Sequence, residues 1–181
     1  MKKSNGFTLI ELAIVLAIIG LLMTGVLKGQ ELIKNGQSHR MVQDIQQIQT
    51  AIYSYQDRYK MLPGDDSLAT SRFGNAVTAG NGDGLLSDTE IGLFWQHLRL
   101  SGLIQGTGNL APKHAQGGNF LLKNDLAAFS NTAICLENLT LEVAKIIDSQ
   151  QDDGVLTTGS YQVADAETAQ NTKVSLCTSL F

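Results

Sequence analysis

Charged residues, prolines and aromatic residues are all scarce in this chain of 181 residues. Charged residues make up 17%, with 13 Lys and Arg against 17 Asp and Glu. This mildly acidic balance argues against a nucleic-acid-binding protein, because phosphate contacts need clustered Lys and Arg. The hydrophobic content of 43% is too high for a disordered chain. The length favours one globular domain.

Motifs of catalysis are also missing from the sequence. The three histidines, His39, His97 and His114, lie far apart, and there is no H-E-x-x-H pair. Neither a G-x-S-x-G nucleophile motif nor a phosphate-binding glycine loop occurs. The sequence therefore contains no arrangement that calls for an enzyme.

The apolar residues are concentrated near the N-terminus. Phe7 to Leu27 form a run of 21 residues whose only charged side chain is Glu11. A transmembrane helix needs about 20 mostly apolar residues, so this run is long enough to span a bilayer. Lys2 and Lys3 precede it, which predicts a cytoplasmic N-terminus. A cleaved secretory signal fits less well, because the run exceeds the usual apolar region and no A-x-A site follows.

Helical periodicity continues beyond the apolar run. Apolar residues from Leu32 to Tyr59 recur at spacings of three and four, which is typical of one helix face. No proline occurs before Pro63, so a continuous helix from about Phe7 to Lys60 is expected.

The residues around the start of the apolar run carry a specific pattern: a basic leader, Gly6, and then Phe-Thr-Leu-Ile-Glu from Phe7 to Glu11. This pattern resembles the class III signal of type IV pilins and type II secretion pseudopilins. The resemblance implies that a prepilin peptidase cleaves between Gly6 and Phe7 and then N-methylates Phe7. It also implies that Glu11 faces the new amino group, in its own chain or in a neighbouring subunit of a filament.

The resemblance implies a structural subunit of a pilus or pseudopilus, with minor pilin or pseudopilin as the closer type. Its expected partners are the prepilin peptidase, other pilin subunits, the inner-membrane assembly platform and the membrane itself. The precursor would lie in the bacterial inner membrane with a periplasmic head before joining a filament. The alternatives are a tip adhesin or DNA-capture module, and a signal-anchored envelope protein that is never processed.

Four segments follow from these patterns: a cleaved leader at 1–6, a membrane and assembly helix at 7–27, an amphipathic stem at 28–61 and an extracytoplasmic head at 62–181. In the head, 67–84 is expected to be a loop, and helices are expected at 91–103 and 139–148. Strands are expected near 119–122, 133–136, 159–163 and 174–178. The predicted fold is α+β, with a long N-terminal helix packed on a pilin-like head that holds a small antiparallel sheet.

An acidic segment in the head partly matches a calcium-binding loop. Its first position fails, because Ala79 stands where an Asp should lead, although Asp65 or Asp66 could supply that carboxylate. The alternative is a plain turn before a helix whose N-terminus favours acids. A second acidic turn, from Asp148 to Gly154, is expected to be only a turn. No other cofactor is indicated, and the candidate calcium ligands are Asn81, Asp83, Ser87 and Glu90.

Cys135 and Cys177 are the only two cysteines. Both would lie on the extracytoplasmic side, where an even number of cysteines predicts a disulfide. The pairing also resembles the C-terminal disulfide of many pilins. Closing this loop would stabilise the head by about 4 kcal/mol in the chain-entropy model.

Overall fold

A computed structural model describes residues 8–124, 126–129, 131–164 and 172–180. The chain separates into two compact units, Met1–Gly36 and Gln37–Phe181. The boundary falls inside the first helix, so each unit contains part of that helix. The predicted Gly6–Phe7 cleavage site lies outside the described residues.

Helix α1 spans Leu9–Tyr59, close to the predicted limits of Phe7 and Lys60. In the first unit its apolar side chains are exposed. In the second unit the residues at spacings of three and four, such as Met41, Ile45 and Ile52, are buried. The helix stops where Lys60 adopts a positive φ of 57°, just before the proline of the Leu62-Pro63 junction, which cannot continue a helix.

Among the described residues of the second unit there are three shorter helices. Helix α2 covers Ala69–Phe73, within the segment that was predicted to be a loop. Helix α3 covers Asp88–Leu100, so it begins three residues before its predicted start. Helix α4 covers Leu141–Gln151.

The sheet contains four described strands: β1 (Phe120–Lys123), β2 (Ala133–Thr140), β3 (Tyr161–Val163) and β4 (Lys173–Ser179). Their order is β1-β2-β4-β3, and every neighbouring pair is antiparallel. A register shift between Leu136 and Leu139 contains Asn138, whose φ is 61°. A residue in that left-handed conformation bends the strand, and β2 then leads directly into α4.

The core of the second unit lies between the sheet, α3, α4 and the part of α1 that belongs to this unit. Alternate residues of β1 point into it, as period-two alternation requires. The architecture is α+β with a long N-terminal helix and a small antiparallel sheet, which confirms the predicted pilin-like fold class. The largest completely or almost completely buried side chains are Tyr55, Phe94, Phe120, Met41, Ile45, Ile52, Leu98, Ile134, Leu136, Leu139, Ile147 and Leu176.

Candidate functional site

Glu11 lies in the first turn of α1 and has hydrogen-bond partners within its own chain. Its Oε2 accepts from the Thr8 backbone N–H and from the Thr8 hydroxyl, each at 2.8 Å. The Glu11 N–H in turn donates to Thr8 Oγ1 at 3.3 Å. This reciprocal pair is a capping box, which satisfies N–H groups that the helix itself leaves unpaired. The Thr-x-x-Glu spacing of Thr8 and Glu11 is the sequence signal of this capping box, which was not predicted.

The apolar half of α1 presents its side chains outward. The most apolar window of the helix has a mean hydropathy of 2.5, and none of its residues is buried. Leu9 is 89% exposed and Leu21 is 75% exposed. By length and composition this helix can cross a membrane. A surface this apolar needs lipid or other apolar helices around it.

Two predicted calcium ligands, Asp83 and Glu90, lie close to Asp65 at the start of α3. Asp65, Asp83 and Glu90 each offer a carboxylate oxygen within 4.8 Å of the other two. We call this group the Asp65 cluster. Of the two aspartates that could complete the loop, the structure places Asp65 here and Asp66 elsewhere.

Backbone N–H groups surround Asp65. Its Oδ1 accepts from Gly82 at 2.6 Å and from Asp83 at 3.1 Å, and its Oδ2 accepts from Gly84 at 2.8 Å. Burial raises the pKa of Asp65, and these hydrogen bonds oppose that rise. Gly82 and Gly84 both have positive φ, which glycine adopts without strain and which lets the loop wrap around the carboxylate.

Glu90 is the third residue of α3 and is 4% exposed. Its Oε1 accepts from the Asn81 N–H at 2.8 Å, and its Oε2 accepts from the Ser87 N–H and hydroxyl at 2.9 and 2.7 Å. Burial raises the pKa of Glu90, but the hydrogen bonds from Ser87 and Asn81 outweigh it and hold the pKa below its usual value. Ser87 and Glu90 form a second capping box. Calcium binding by Asn81, Asp83, Ser87 and Glu90 stays a prediction.

Asp66 belongs to a structural network instead. It is completely buried, accepts a 2.7 Å hydrogen bond from the Tyr55 hydroxyl and forms a close ion pair with Arg72. Burial and the Asp66 carboxylate raise the pKa of Tyr55, so its hydroxyl stays protonated and donates. Helix α2 therefore has a clear role, because it carries Arg72 to this buried acid.

His97 is also structural. Its Nδ1 accepts from the Gly64 N–H at 3.0 Å, which leaves Nε2 to donate to the Thr78 carbonyl at 3.0 Å. Burial lowers the pKa of His97, so the neutral ring is favoured. The ring ties the junction after α1 to α3 and to the loop before it.

Cys135 and Cys177 form the predicted disulfide. They are register partners on the neighbouring strands β2 and β4, and both are completely buried. The bond links the two central strands of the sheet, and the prediction is confirmed.

Comparison with known proteins identifies the N-terminal segment. Residues 1–27 match the family model described as the prokaryotic N-terminal methylation motif, which is the signal of type IV pilins and pseudopilins. The motif implies processing by a prepilin peptidase, assembly with other pilins and attachment to a membrane. It points to a structural protein rather than an enzyme. No curated protein and no solved structure matches the chain.

Proposed function

We propose that this chain is a structural subunit of a type IV pilus or a pilus-like filament. A prepilin peptidase cleaves the precursor between Gly6 and Phe7, N-methylates Phe7, and the mature chain polymerises through its N-terminal helix. The observation that carries this proposal is the methylation motif at residues 1–27, which includes the first part of an apolar helix whose side chains are exposed.

Glu11 gives assembly its axial register in this proposal. The new amino terminus of one subunit and the Glu11 carboxylate of another each carry a desolvation penalty of several kcal/mol in an apolar bundle of helices. Pairing removes much of both penalties, and it does so only when the neighbouring helix docks at one height. Exposed apolar residues along 9–27 supply the packing area.

The Thr8–Glu11 capping box supports the same role. Two donors from Thr8 hold the Glu11 carboxylate at the beginning of the helix. Among the described residues, donors bond only to Oε2, so in this proposal Oε1 accepts from the incoming ammonium group. The carboxylate is therefore oriented before a neighbour arrives, which lowers the entropic cost of pairing.

Before assembly, the subunit lies in the inner membrane with its N-terminus in the cytoplasm and its head in the periplasm. The assembly platform then moves it into a pilus or a periplasmic pseudopilus. The competing functions, a tip adhesin, a DNA-capture subunit or an unprocessed membrane anchor, are distinguished by processing and by binding.

The first experiment determines the mass and N-terminal sequence of the chain recovered from membranes that contain a prepilin peptidase. We expect a chain that begins at methylated Phe7. Gly6→Leu is the control and should remain uncleaved. A wild-type chain that still begins at Met1 would leave a signal-anchored protein and would remove the basis for assembly.

The second experiment separates the charge of Glu11 from its capping role. Glu11→Gln keeps an N3 residue that can form a capping box but removes the charge, whereas Thr8→Ala weakens the cap and keeps the charge. We expect both variants to be inserted and cleaved. Incorporation into filaments should fall at least tenfold for Glu11→Gln and much less for Thr8→Ala. Normal incorporation of Glu11→Gln would refute the register role.

A further inference from the structure

A second acidic group lies where helix α4 ends. Asp148 is in the last turn of α4, and Asp152 and Asp153 follow the helix directly. One carboxylate oxygen of each lies within 4.8 Å of those of the other two. We call this group the Asp148 cluster. Two oxygens on opposite sides of a calcium ion lie about 4.8 Å apart, because each Ca–O distance is about 2.4 Å.

Asp148 has an unusual environment for a carboxylate. It is completely buried, and among the described residues no donor reaches either carboxylate oxygen with normal hydrogen-bond geometry; the Gly154 N–H lies near but outside that geometry. Among the described residues, these are the only buried side-chain nitrogen or oxygen atoms in that condition. Native structures pair nearly all such atoms, so an exception calls for a specific cause such as an ion.

Negative charge around Asp148 makes its ionised form more unfavourable. The C-terminal end of a helix is negative, and the last turn of α4 contains no basic residue. Burial raises the pKa of Asp148, the charges of Asp153 and Asp152 raise it further, and the Gly154 backbone N–H opposes them.

The loop after α4 holds the other two carboxylates in place. Asp152 Oδ2 accepts from the Tyr161 N–H at 2.9 Å. Asp153 Oδ1 accepts from the Val155 N–H at 2.8 Å, and its Oδ2 accepts from the Thr158 hydroxyl at 2.7 Å. Asp152 Oδ2 also accepts from the Ser160 N–H, so the second oxygen of Asp152 is the one left to bind a cation. Each Asp153 oxygen accepts one of these hydrogen bonds and keeps a second lone pair. The carboxylates are thus fixed in position and still able to bind a cation.

We propose that Asp148, Asp152 and Asp153 bind a calcium ion. Three carboxylates form a hard oxygen site, which suits Ca²⁺ and Mg²⁺ rather than softer metals. Calcium fits better because it accepts six to eight oxygens in irregular arrangements, whereas Mg²⁺ requires a near-ideal octahedron. Water and loop carbonyls would complete the shell.

The bound ion supplies the positive charge that the end of α4 lacks. It also ties the helix to the loop that leads into β3. The sequence predicted only a plain turn here, because the isolation of Asp148 results from packing.

The test uses the full chain in detergent micelles, first stripped of divalent ions with a chelator. Calcium is then titrated by calorimetry to about 10 mM, since extracellular calcium modules bind at about 10⁻⁴–10⁻³ M. We expect saturable binding of one ion at this cluster and a melting temperature that rises with calcium concentration.

Asp148→Asn should weaken the binding at least tenfold and remove most of the rise in melting temperature. Asp153→Asn, at an exposed position, should also weaken binding, and it keeps the test informative if Asp148→Asn does not fold. The matched control is Asp57→Asn, which removes one charge from an exposed position of α1 and should leave the affinity within twofold.

Several results would overturn the proposal. Absence of heat and of any melting shift at 10 mM calcium would indicate that Asp148 is simply protonated. Binding that is lost in Asp83→Asn and kept in Asp148→Asn would place the ion at the Asp65 cluster instead. A stronger response to Mg²⁺ than to Ca²⁺ would overturn the assignment to calcium.

Discussion

The Asp65 cluster and the Asp148 cluster each contain three acidic residues, but they lie at opposite ends of their helices. Glu90 of the first is in the first turn of α3, and Asp148 of the second is in the last turn of α4. The helix dipole favours acids at the first position and disfavours them at the second. We therefore expect a carboxylate that lies among backbone donors to stabilise the fold without a metal, and one that lacks such donors to destabilise it.

The two clusters also differ in their hydrogen bonds. Three backbone N–H groups donate to Asp65, whereas Asp148 receives no hydrogen bond that satisfies normal geometry. Both residues are almost completely buried. The same substitution at the two positions should therefore have opposite effects on stability when calcium is removed.

The largest expected effect is that of Asp65→Asn. The amide keeps one acceptor oxygen and places an NH₂ group against a backbone N–H that formerly had an acceptor. We expect the free energy of unfolding to fall by about 3 kcal/mol, the upper part of the range for an unsatisfied buried group. Urea denaturation of the full chain in micelles with chelator measures it. Asp57→Asn is the control, and a loss no greater than in that control would contradict the prediction.

The next effect is that of Asp148→Asn under the same conditions at pH 7. This change removes a buried charge that receives no hydrogen bond of normal geometry, so the free energy of unfolding should rise by about 1.5 kcal/mol. With calcium present, the wild type should gain stability and the variant should not. A destabilised variant in chelator would mean that the Asp148 carboxylate is stabilised by interactions that its geometry does not reveal.

Much of this architecture follows from local patterns in the sequence. The spacing of apolar residues and the absence of proline predicted α1 to within two residues at its start and one at its end. The two cysteines were predicted to pair, and the strands that contain them place them in register. These features depend on periodicity and on simple chemical rules, which a single sequence contains.

Other features depend on segments too short to show a pattern, or on contacts between residues that are distant in the sequence. Helix α2 is five residues long, which is too short to show a helical period. The role of its Arg72, an ion pair with the buried Asp66, depends on the folded structure and is not visible in the sequence. The early start of α3 has a local signal, because Ser87 and Glu90 have the spacing of a capping box. The isolation of Asp148 has no local signal, since it results from the packing of α4 against the rest of the head.

The smallest expected effect is a difference in pH dependence between Glu90→Gln and Asp148→Asn. The folded-state pKa of Glu90 is lowered, so its contribution to stability is present above its unfolded pKa of about 4.3 and is lost as pH falls through the folded pKa. The folded-state pKa of Asp148 is raised. In chelator, the wild type therefore loses stability as pH rises from about 3.9, the unfolded pKa of Asp, through the raised pKa.

Urea denaturation of the wild type and both variants between about pH 3 and pH 7 tests this difference. Subtracting the free energy of unfolding of each variant from that of the wild type cancels the contributions of the titratable groups that the two proteins share. The stability difference should change with pH in each case, because a folded-state pKa that differs from the unfolded one makes the free energy of unfolding depend on pH. As pH rises, the wild type should gain stability relative to Glu90→Gln and lose stability relative to Asp148→Asn. If the two stability differences changed with pH in the same direction, the position of each acid at the start of α3 or the end of α4 would not matter. Burial alone would then determine the pKa of both carboxylates.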